Sequence, residues 1–240
     1  MKFSWTTAKM TERLNTFIAR FLPTSRRKAE ELIFSGQVHV NGQPVLEPFF
    51  RVEPKAKVTV EGQPVKPKKN LVYYALNKPR GFVCSEKRFK QERLVTDLFP
   101  QTQERLFTIG RLDKDSEGLI LLTNDGQFAQ DVSSPKMGVE KEYVVKTVQE
   151  ITHEHLVQLS KGGFVEGSYV KPKSVVKVRK GTTKVILKEG RKREIRVLFQ
   201  KANLEITELK RVRIGNLQLG SLQPGQYKSI LETERLAIIS

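Results

Sequence analysis

The sequence predicts an α+β protein: a small domain of two helices and short strands, joined to a larger domain with a mixed, mainly antiparallel sheet and flanking helices. Two observations indicate the small domain. Apolar residues recur at helical spacing up to residue 33, and valines alternate with polar residues from 38 to 60. A third indicates the larger domain, where alternating segments surround a continuous apolar run at 119–123. We place the small domain at 1–62, a linker at 63–70 and the larger domain at 71–240.

The charge of the chain indicates its class of partner. The 240 residues carry a formal net charge of +17, with an excess of +7 in residues 1–70 and +10 in residues 71–240. Nucleic acid is the natural partner, because clustered lysine and arginine release counterions from a phosphate backbone. No apolar stretch has membrane-spanning length, and the first residues lack the apolar run of a secretory signal. The single cysteine, Cys84, fits a buried role in a reducing compartment, so we expect a cytoplasmic protein without a membrane span.

The small domain begins with two short helices. Residues 12–22 place their apolar side chains on one helical face and predict a helix that Pro23 ends. Thr24 or Ser25 can cap a second helix, which ends at Gly36. A strand with Val38 and Val40 is then predicted to lead into a tight turn at 41–42. Further short strands are predicted at Val45, Val52, Val58 and Val60. The segment 61–70, rich in proline and lysine, predicts a hinge or linker.

The larger domain is organised around the stretch from Gly110 to Gly126. Its apolar run predicts a buried strand, followed by a turn at 124–126, and its loop carries three carboxylates, Asp113, Asp115 and Glu117. A rigid strand next to a charged loop is where a reactive carboxylate can be held. Two other interpretations are a calcium loop, which lacks a glutamate at its twelfth position, and a structural loop with solvated acids.

Further elements are predicted on both sides of this stretch. The 71–76 segment predicts a strand that leads into a loop shaped by proline and glycine, and 85–103 predicts a mobile surface loop or helix. After the central stretch we predict strands at 141–146, 175–178 and 185–187, surface helix 152–159, a helix with apolar residues at 195, 198, 199 and 202, and a final strand and turn within 217–225.

Two short motifs suggest other chemistry and do not support it. His153 and His155 are two residues apart, so they do not share a helix face, and no thiolate accompanies them. The segment Lys161-Gly162-Gly163 lacks the continuation of a phosphate-binding loop. We therefore predict no metal site and no cofactor.

The central stretch resembles the catalytic motif of the RsuA-like ribosomal RNA pseudouridine synthases. The resemblance lies in Gly-Arg-Leu-Asp, Ser-Glu-Gly-Leu and an apolar run that ends in Thr-Asn-Asp-Gly. It implies that Asp113 is the catalytic residue, that Arg191 pairs with it, and that Tyr143 enters the active site and stacks on uracil. It also implies that Arg111 fills the gap left by the flipped nucleotide. Lys78, in a Lys-Pro-x-Gly segment similar to the family's, is interpreted as a support of the cleft that can also touch RNA.

Residues 12–62 resemble the S4 RNA-binding domain. The resemblance rests on Ser25-Arg26-Arg27 and on the later succession Leu-Ile, Gly, Val and Val-Asn-Gly. It implies RNA contacts by residues of the second helix and the strand after it, with one arginine nearby: Arg13, Arg26, Arg27, Lys28, Gln37 and Asn41. The alternative for the basic triplet is a solvated helix face. One departure from the larger family is Glu194, which stands where that family often has glutamine.

Together these resemblances imply an enzyme that isomerises uridine in ribosomal RNA or a pre-ribosomal particle, acting as a monomer without cofactor or metal. The alternative is a non-catalytic RNA-binding ribosome-assembly factor. The presence of aspartate, tyrosine and arginine at the motif positions disfavours that alternative. A zinc deaminase or a methyltransferase is not supported, because the Cys-x-x-Cys ligands and the glycine-rich cofactor loop are lacking.

Overall fold

The computed structural model describes residues 11–66, 70–89, 91–102, 104–188, 190–191 and 193–239. Contacts divide the chain into two compact units. The first contains the described residues up to Leu71, and the second contains Val72–Thr102 and the residues from Leu106 onward. No helix among the described residues is both long enough and apolar enough to span a membrane.

The first unit packs two helices against short strands. In chain order it contains β1 (Glu12–Arg13), α1 (Leu14–Phe21), α2 (Arg26–Phe34), β2 (Val38–Val40), β3 (Gln43–Pro44), β4 (Arg51–Val52), β5 (Val58–Val60) and β6 (Gln63–Pro64). The Ser25 side chain caps α2 by accepting from the Lys28 amide at 3.1 Å. Strands β3, β2, β5 and β6 form one antiparallel sheet, and β1 pairs with β4. A buried cluster that includes Leu14, Ile18 and Ile33 forms the core of this unit.

The second unit contains a large mixed sheet with helices. Its elements are β7 (Tyr73–Lys78), β8 (Phe82–Val83), β9 (Arg93–Leu94), β10 (Phe107–Ile109), β11 (Glu117–Thr123), α3 (Gly126–Ser133), β12 (Lys141–Thr147), α4 (His153–Lys161), β13 (Gly163–Val165), β14 (Ser168–Val170), β15 (Ser174–Arg179), β16 (Thr182–Leu187), α5 (Glu194–Lys201), β17 (Ile206–Ile214), β18 (Leu217–Gln218), β19 (Tyr227–Ser229) and α6 (Glu232–Ile239). Short 3₁₀ turns lie at Val95–Leu98 and Pro135–Met137.

Strand β11 lies near the middle of the main sheet. The strand order is β15-β16-β12-β17-β11-β7-β19, with β10 and β18 added alongside β11 and β17, and β11 runs parallel to β17. Alternate residues of β11 enter two different cores: Ile120 and Leu122 join the larger cluster, whereas Leu119 and Leu121 join the second. All four are completely buried, as the continuous apolar run predicts for a strand that is covered on both faces.

The fold class predicted from the sequence is confirmed, two local predictions need correction, and one helix was not predicted. Asp125 does not sit in a simple turn, because its side chain caps α3 by accepting from the amides of Gln127 and Phe128. Helix α6 was not predicted. The first residues of the predicted linker, Gln63–Pro64, pair with β5, while residues 67–69 lie outside the described part of the chain.

Candidate active site

The acidic loop between β10 and β11 is fixed by backbone hydrogen bonds. The Ser116 amide donates to the Asp113 carbonyl at 3.1 Å, which closes the loop on itself. The Gly81 amide donates to the Lys114 carbonyl at 2.7 Å and ties the loop to the turn after β7. The Asp113 side chain remains 27% exposed. A partly exposed carboxylate on a restrained backbone can therefore face a substrate.

Gly118 lets β11 and β17 approach each other directly beside this loop. Its φ is +107°, and a Cβ there would lie 2.2 Å from the Arg211 carbonyl oxygen and 2.6 Å from the Arg211 nitrogen. Backbone atoms of a central strand cannot move aside as a flexible side chain could. The glycine therefore sets the position of Arg211 relative to the acidic loop.

Arg196, in the first turn of α5, joins the two aspartates of the loop. Its Nη2 lies 3.0 Å from Asp115 Oδ2 and donates to Ser116 Oγ at 3.0 Å, while its Nε lies 3.7 Å from Asp113 Oδ2. Arg193 approaches the same Asp113 oxygen at 3.8 Å but is half exposed. Only 15% of the Arg196 side chain is exposed, so Arg196 is the better-positioned partner of Asp113.

Lys78, at the end of β7, lies beneath the loop and is fully buried. Its ammonium donates to the Ser116 carbonyl at 2.7 Å and to the Pro79 carbonyl at 3.1 Å. Burial lowers the pKa of Lys78, and the thiol of Cys84 and the nearby carboxylates, including those of Asp113 and Asp115, oppose that shift. The interpretation as a support of the cleft agrees with this geometry. Contact with RNA does not, because a side chain with no exposed surface cannot reach a ligand.

Tyr143, on β12, lies on the sheet face covered by the larger core and is 6% exposed. It pairs in register with Arg211 of β17, whose positive charge opposes the rise in the pKa of Tyr143. Arg211 Nε also donates to the Leu119 carbonyl at 2.6 Å. Burial raises the pKa of Tyr143, and the charges of Glu194 and Asp113 contribute in the same direction. The phenol is therefore held in its neutral form.

Basic side chains accompany all three carboxylates of the loop. Glu117 Oε2 lies 3.7 Å from Arg80, and Glu117 Oε1 lies 3.9 Å from Lys210. Asp113 and Asp115 face Arg196. A calcium loop would direct its carboxylates toward a common cation, so this arrangement contradicts the calcium interpretation. Among the described residues, no group of three or more histidine, cysteine or acidic side chains could hold a metal ion.

The structure brings Asp113, Lys78 and Tyr143 into one region, and the two arginines predicted beside them are both exposed. Arg111 is exposed, two residues before Asp113 in the chain. Arg191 is exposed and lies three residues before α5, whereas the ion pairs seen for Asp113 come from Arg193 and Arg196. The pairing of Arg191 with Asp113 stays a prediction.

Sequence reasoning missed Arg196 because several basic residues lie close together between 191 and 196. Arg196 follows the first apolar residue of the predicted helix, Ile195, and lies in its first turn. That position is the one sequence signal that could have separated Arg196 from its neighbours. The start of α5 at Glu194 places Arg196 in the helical turn that faces the loop.

The residues predicted to contact RNA in the small domain are all exposed, namely Arg13, Arg26, Arg27, Lys28, Gln37 and Asn41. Two of them also stabilise local structure. Asn41 has a φ of +51°, and its side-chain oxygen accepts from the Lys57 amide at 2.9 Å. Gln37 Oε1 accepts from the Ser35 hydroxyl at 3.0 Å. Their contact with RNA stays a prediction.

Comparison with known proteins places both units in described families. Residues 72–201 match the family model described as RNA pseudouridylate synthase, and residues 12–58 match the S4 domain. A solved structure titled "Crystal structure of pseudouridylate synthase" aligns with a TM-score of 0.70 at 27% identity, covering 95% of this chain and 100% of that one. These matches define an RNA-modifying enzyme class with an added RNA-binding domain.

Two relatives carry names that refer to ribosomal subunits. Ribosomal large subunit pseudouridine synthase B of Bacillus subtilis is 37% identical over 95% of this chain and 97% of its own length. Ribosomal small subunit pseudouridine synthase A of Escherichia coli is 31% identical over 95% of this chain and 100% of its own length. The chain belongs to the RNA pseudouridine synthase family, which confirms the resemblance and makes it an RNA-modifying isomerase with an S4 domain.

Proposed function

We propose that this enzyme isomerises a specific uridine of ribosomal RNA to pseudouridine, with Asp113 as the reacting carboxylate. The observation that carries the proposal is the geometry of Asp113, a partly exposed carboxylate whose loop is restrained from below by Lys78 and flanked by Arg196. Ribosomal RNA is proposed because two relatives are named for ribosomal subunits. The chain resembles both, so either subunit RNA can supply the uridine.

One carboxylate is sufficient for this chemistry. The N1–C1′ bond of uridine breaks, uracil departs as a delocalised anion and turns at the site, and its C5 forms the new bond to C1′. A base or water then removes the proton from C5 while N1 takes up a proton, so the net change is an isomerisation. An ionised Asp113 either attacks C1′ or acts as a base at C2′. A poor alkoxide leaving group would need a second, protonated carboxyl, whereas uracil does not.

Arg196 supplies the orientation that Asp113 needs. Within the described chain its buried Nε has no hydrogen-bond acceptor at bonding distance, and Asp113 Oδ2 at 3.7 Å is a near neighbour. A buried donor without an acceptor costs about 1–3 kcal/mol. A shift of a few tenths of an ångström on RNA binding removes that cost by closing the contact, which fixes the Asp113 rotamer for reaction.

Tyr143 contributes a ring surface rather than a proton acceptor. Its raised pKa keeps the phenol neutral near pH 7, which argues against a role as general base. Its register opposite Arg211 on the central sheet gives the ring a defined position, and uracil can pack on the small part of it that is exposed. The target nucleotide reaches this place only by leaving the RNA stack, and the exposed Arg111 fills the space it vacates.

The small domain supplies RNA affinity through α2. Its first turn carries Arg26, Arg27 and Lys28 and no acidic residue. Cations at a helix N-terminus oppose the helix dipole, so this arrangement is unfavourable for the free protein and favourable once phosphate is bound. We propose that residues 1–62 bind RNA, that residues 71–240 carry out catalysis and that residues 63–70 link the two.

We further propose that the enzyme works as a monomer in the cytoplasm, where ribosomal RNA is available.

Pseudouridine mapping tests the function. Transcripts of both ribosomal RNAs, and ribosomal particles, are treated with the wild-type protein and with Asp113→Asn. Conversion of one uridine by the wild type alone supports the proposal. Absence of conversion on every substrate, with RNA binding equal for the two proteins, would replace it with the assembly-factor function.

A further inference from the structure

The ribbon formed by β1 and β4 places two arginines directly opposite each other. Arg13 pairs with Arg51 in an antiparallel register, and both are exposed. Side chains that face each other across such a pair have Cβ atoms about 5 Å apart, and like charges there are destabilising. The repulsion is relieved when an anion binds between them.

Strand alternation separates this pair from the other charged face of the ribbon. Glu12 is opposite Val52, which is 2% exposed, so this face of the ribbon is directed toward the core. Glu12 forms an ion pair there with Arg20, and the positive charge of Arg26 also acts on its carboxylate. Successive side chains of a strand point to opposite faces. Arg13 and Arg51 therefore project away from the side on which Glu12 meets α1 and α2.

An exposed aromatic ring completes the arrangement. The guanidinium carbon of Arg13 lies 4.9 Å from the centre of the Phe49 ring, and Phe49 keeps 61% of its surface exposed. Burial of so exposed a phenylalanine contributes little to stability. Its position beside the two arginines therefore needs another reason. An arginine on one ring face leaves the other for a flat ligand.

The loop that carries Phe49 is held firmly. The Pro48 carbonyl accepts from the Asn15 amide at 3.0 Å, and the Phe50 carbonyl accepts from the Leu14 amide at 2.8 Å. These bonds satisfy amides at the start of α1, whose N-cap residue provides no side-chain cap. Arg51 Nη1 donates to the Thr11 carbonyl at 3.2 Å. The ring and the second guanidinium are thus placed before any ligand binds, which lowers the entropic cost of binding.

We propose that Arg13, Phe49 and Arg51 form a second RNA contact of the small domain, which takes one unpaired nucleotide. The base stacks on Phe49, and the adjacent phosphate lies between the two guanidinium groups. The inference rests on the proposed function for the identity of the RNA. It adds a contact for single-stranded RNA to the small domain, besides the cations of α2, so the preferred substrate has an unpaired nucleotide next to a structured segment.

Two variants of the full chain, each with a matched control, test the contact. Phe49→Leu removes the aromatic face, and Phe34→Leu changes an equally exposed phenylalanine of α2. Arg51→Ala removes one cation of the pair, and Lys55→Ala removes an exposed cation elsewhere in the same domain. Circular dichroism and thermal unfolding verify that all four fold. The probes are transcripts of the two ribosomal RNAs, bound across a salt series.

We expect Phe49→Leu to weaken binding about 5- to 150-fold at unchanged salt dependence, since stacking is worth that much per base. Arg51→Ala is expected to lower the slope of log Kd against log salt by about 0.7–0.9, the value of one phosphate contact. Both controls should bind like the wild type. Wild-type binding by Phe49→Leu and Arg51→Ala would overturn the proposal.

Pseudouridine formation by the same proteins separates this inference from the proposed function. If the wild type modifies no uridine but Phe49 and Arg51 variants lose affinity, the contact stands and the proposed function fails. If the wild type modifies its uridine and both variants bind and react like it, the proposed function stands and the contact fails. When the proposed function and the contact are both correct, Phe49→Leu and Arg51→Ala raise the KM for RNA and leave kcat at saturating RNA unchanged.

Discussion

Replacement of Arg196 by lysine keeps the positive charge next to Asp113 and removes the planar fork. In the wild type one guanidinium reaches Asp115 and Ser116 through Nη2, each at 3.0 Å, and approaches Asp113 through Nε at 3.7 Å. An ammonium is a single point with tetrahedral donors and cannot reach all three groups from the same backbone position. The variant therefore tests orientation separately from charge.

The expected loss of kcat in Arg196→Lys follows from the contacts of Arg196 that are buried. Asp115 is 56% exposed, so its ion pair with Arg196 contributes little to net stability. The contacts with Ser116 and Asp113 lie deeper, and a hydrogen bond of a charged group is worth about 1.5–3 kcal/mol. If this orientation is realised in the transition state, Arg196→Lys lowers kcat roughly 10- to 150-fold, because each 1.36 kcal/mol corresponds to a factor of ten.

Single-turnover pseudouridine formation on saturating RNA measures this effect. Arg193→Lys is the matched control, since Arg193 lies 3.8 Å from the same Asp113 oxygen but is half exposed, and we expect little change. Arg191→Lys tests the assignment made from the sequence. An Arg196→Lys enzyme as fast as the wild type, or a large loss confined to Arg191→Lys, would refute the geometric argument.

Three further outcomes are expected. Gly118→Ala should lower the free energy of unfolding by at least about 3 kcal/mol, because φ is positive there and the added Cβ would lie 2.2 Å from backbone. Gly126→Ala, which has open space around it, should leave this free energy unchanged. Urea unfolding of both variants measures the difference. Lys78→Met should reduce kcat while leaving the Kd for RNA unchanged, because the buried ammonium supports the loop and cannot touch RNA. Burial and the hydrogen bond to Asp125 raise the pKa of Tyr73 to about 12, so the wild type should lose stability between about pH 10 and 12, a loss absent from Tyr73→Phe.

The sign of the last outcome follows from proton binding. Between about pH 10 and 12 the unfolded chain has released the Tyr73 proton, whereas the folded chain retains it. Stability falls with pH wherever the folded state binds more protons. Unfolding of both proteins across this pH range measures the difference. A steeper decline in Tyr73→Phe than in the wild type would contradict the assignment.

Much of the fold could be predicted from local patterns. The apolar run at Leu119–Thr123 forms most of β11, and the alternating segment at Lys141–Lys146 forms most of β12. Both patterns report burial directly, because side chains alternate between the faces of a strand. Helix α6 was missed since its hydrophobic residues follow one another at its end, without helical spacing, and its packing depends on other elements such as β18.

The site was predicted less completely because side-chain partners depend on tertiary structure. Asp113 could be singled out by its loop and its family motif. The contact of Arg196 with the acidic loop depends on where α5 begins, and helix boundaries are poorly defined by sequence. The burial of Lys78 was likewise not predictable, since lysine is almost always exposed and here the carbonyl groups of Ser116 and Pro79, with the nearby carboxylates, compensate its charge.

The most direct test of the central claim compares Asp113→Asn with Asp115→Asn on the uridine that the wild type modifies. The two aspartates share one loop and one arginine, yet only Asp113 is proposed to react. Single-turnover rates on saturating RNA should show complete loss for Asp113→Asn and a modest decrease for Asp115→Asn, at equal RNA affinity. Retained conversion by Asp113→Asn, or loss confined to Asp115→Asn, would contradict the assignment.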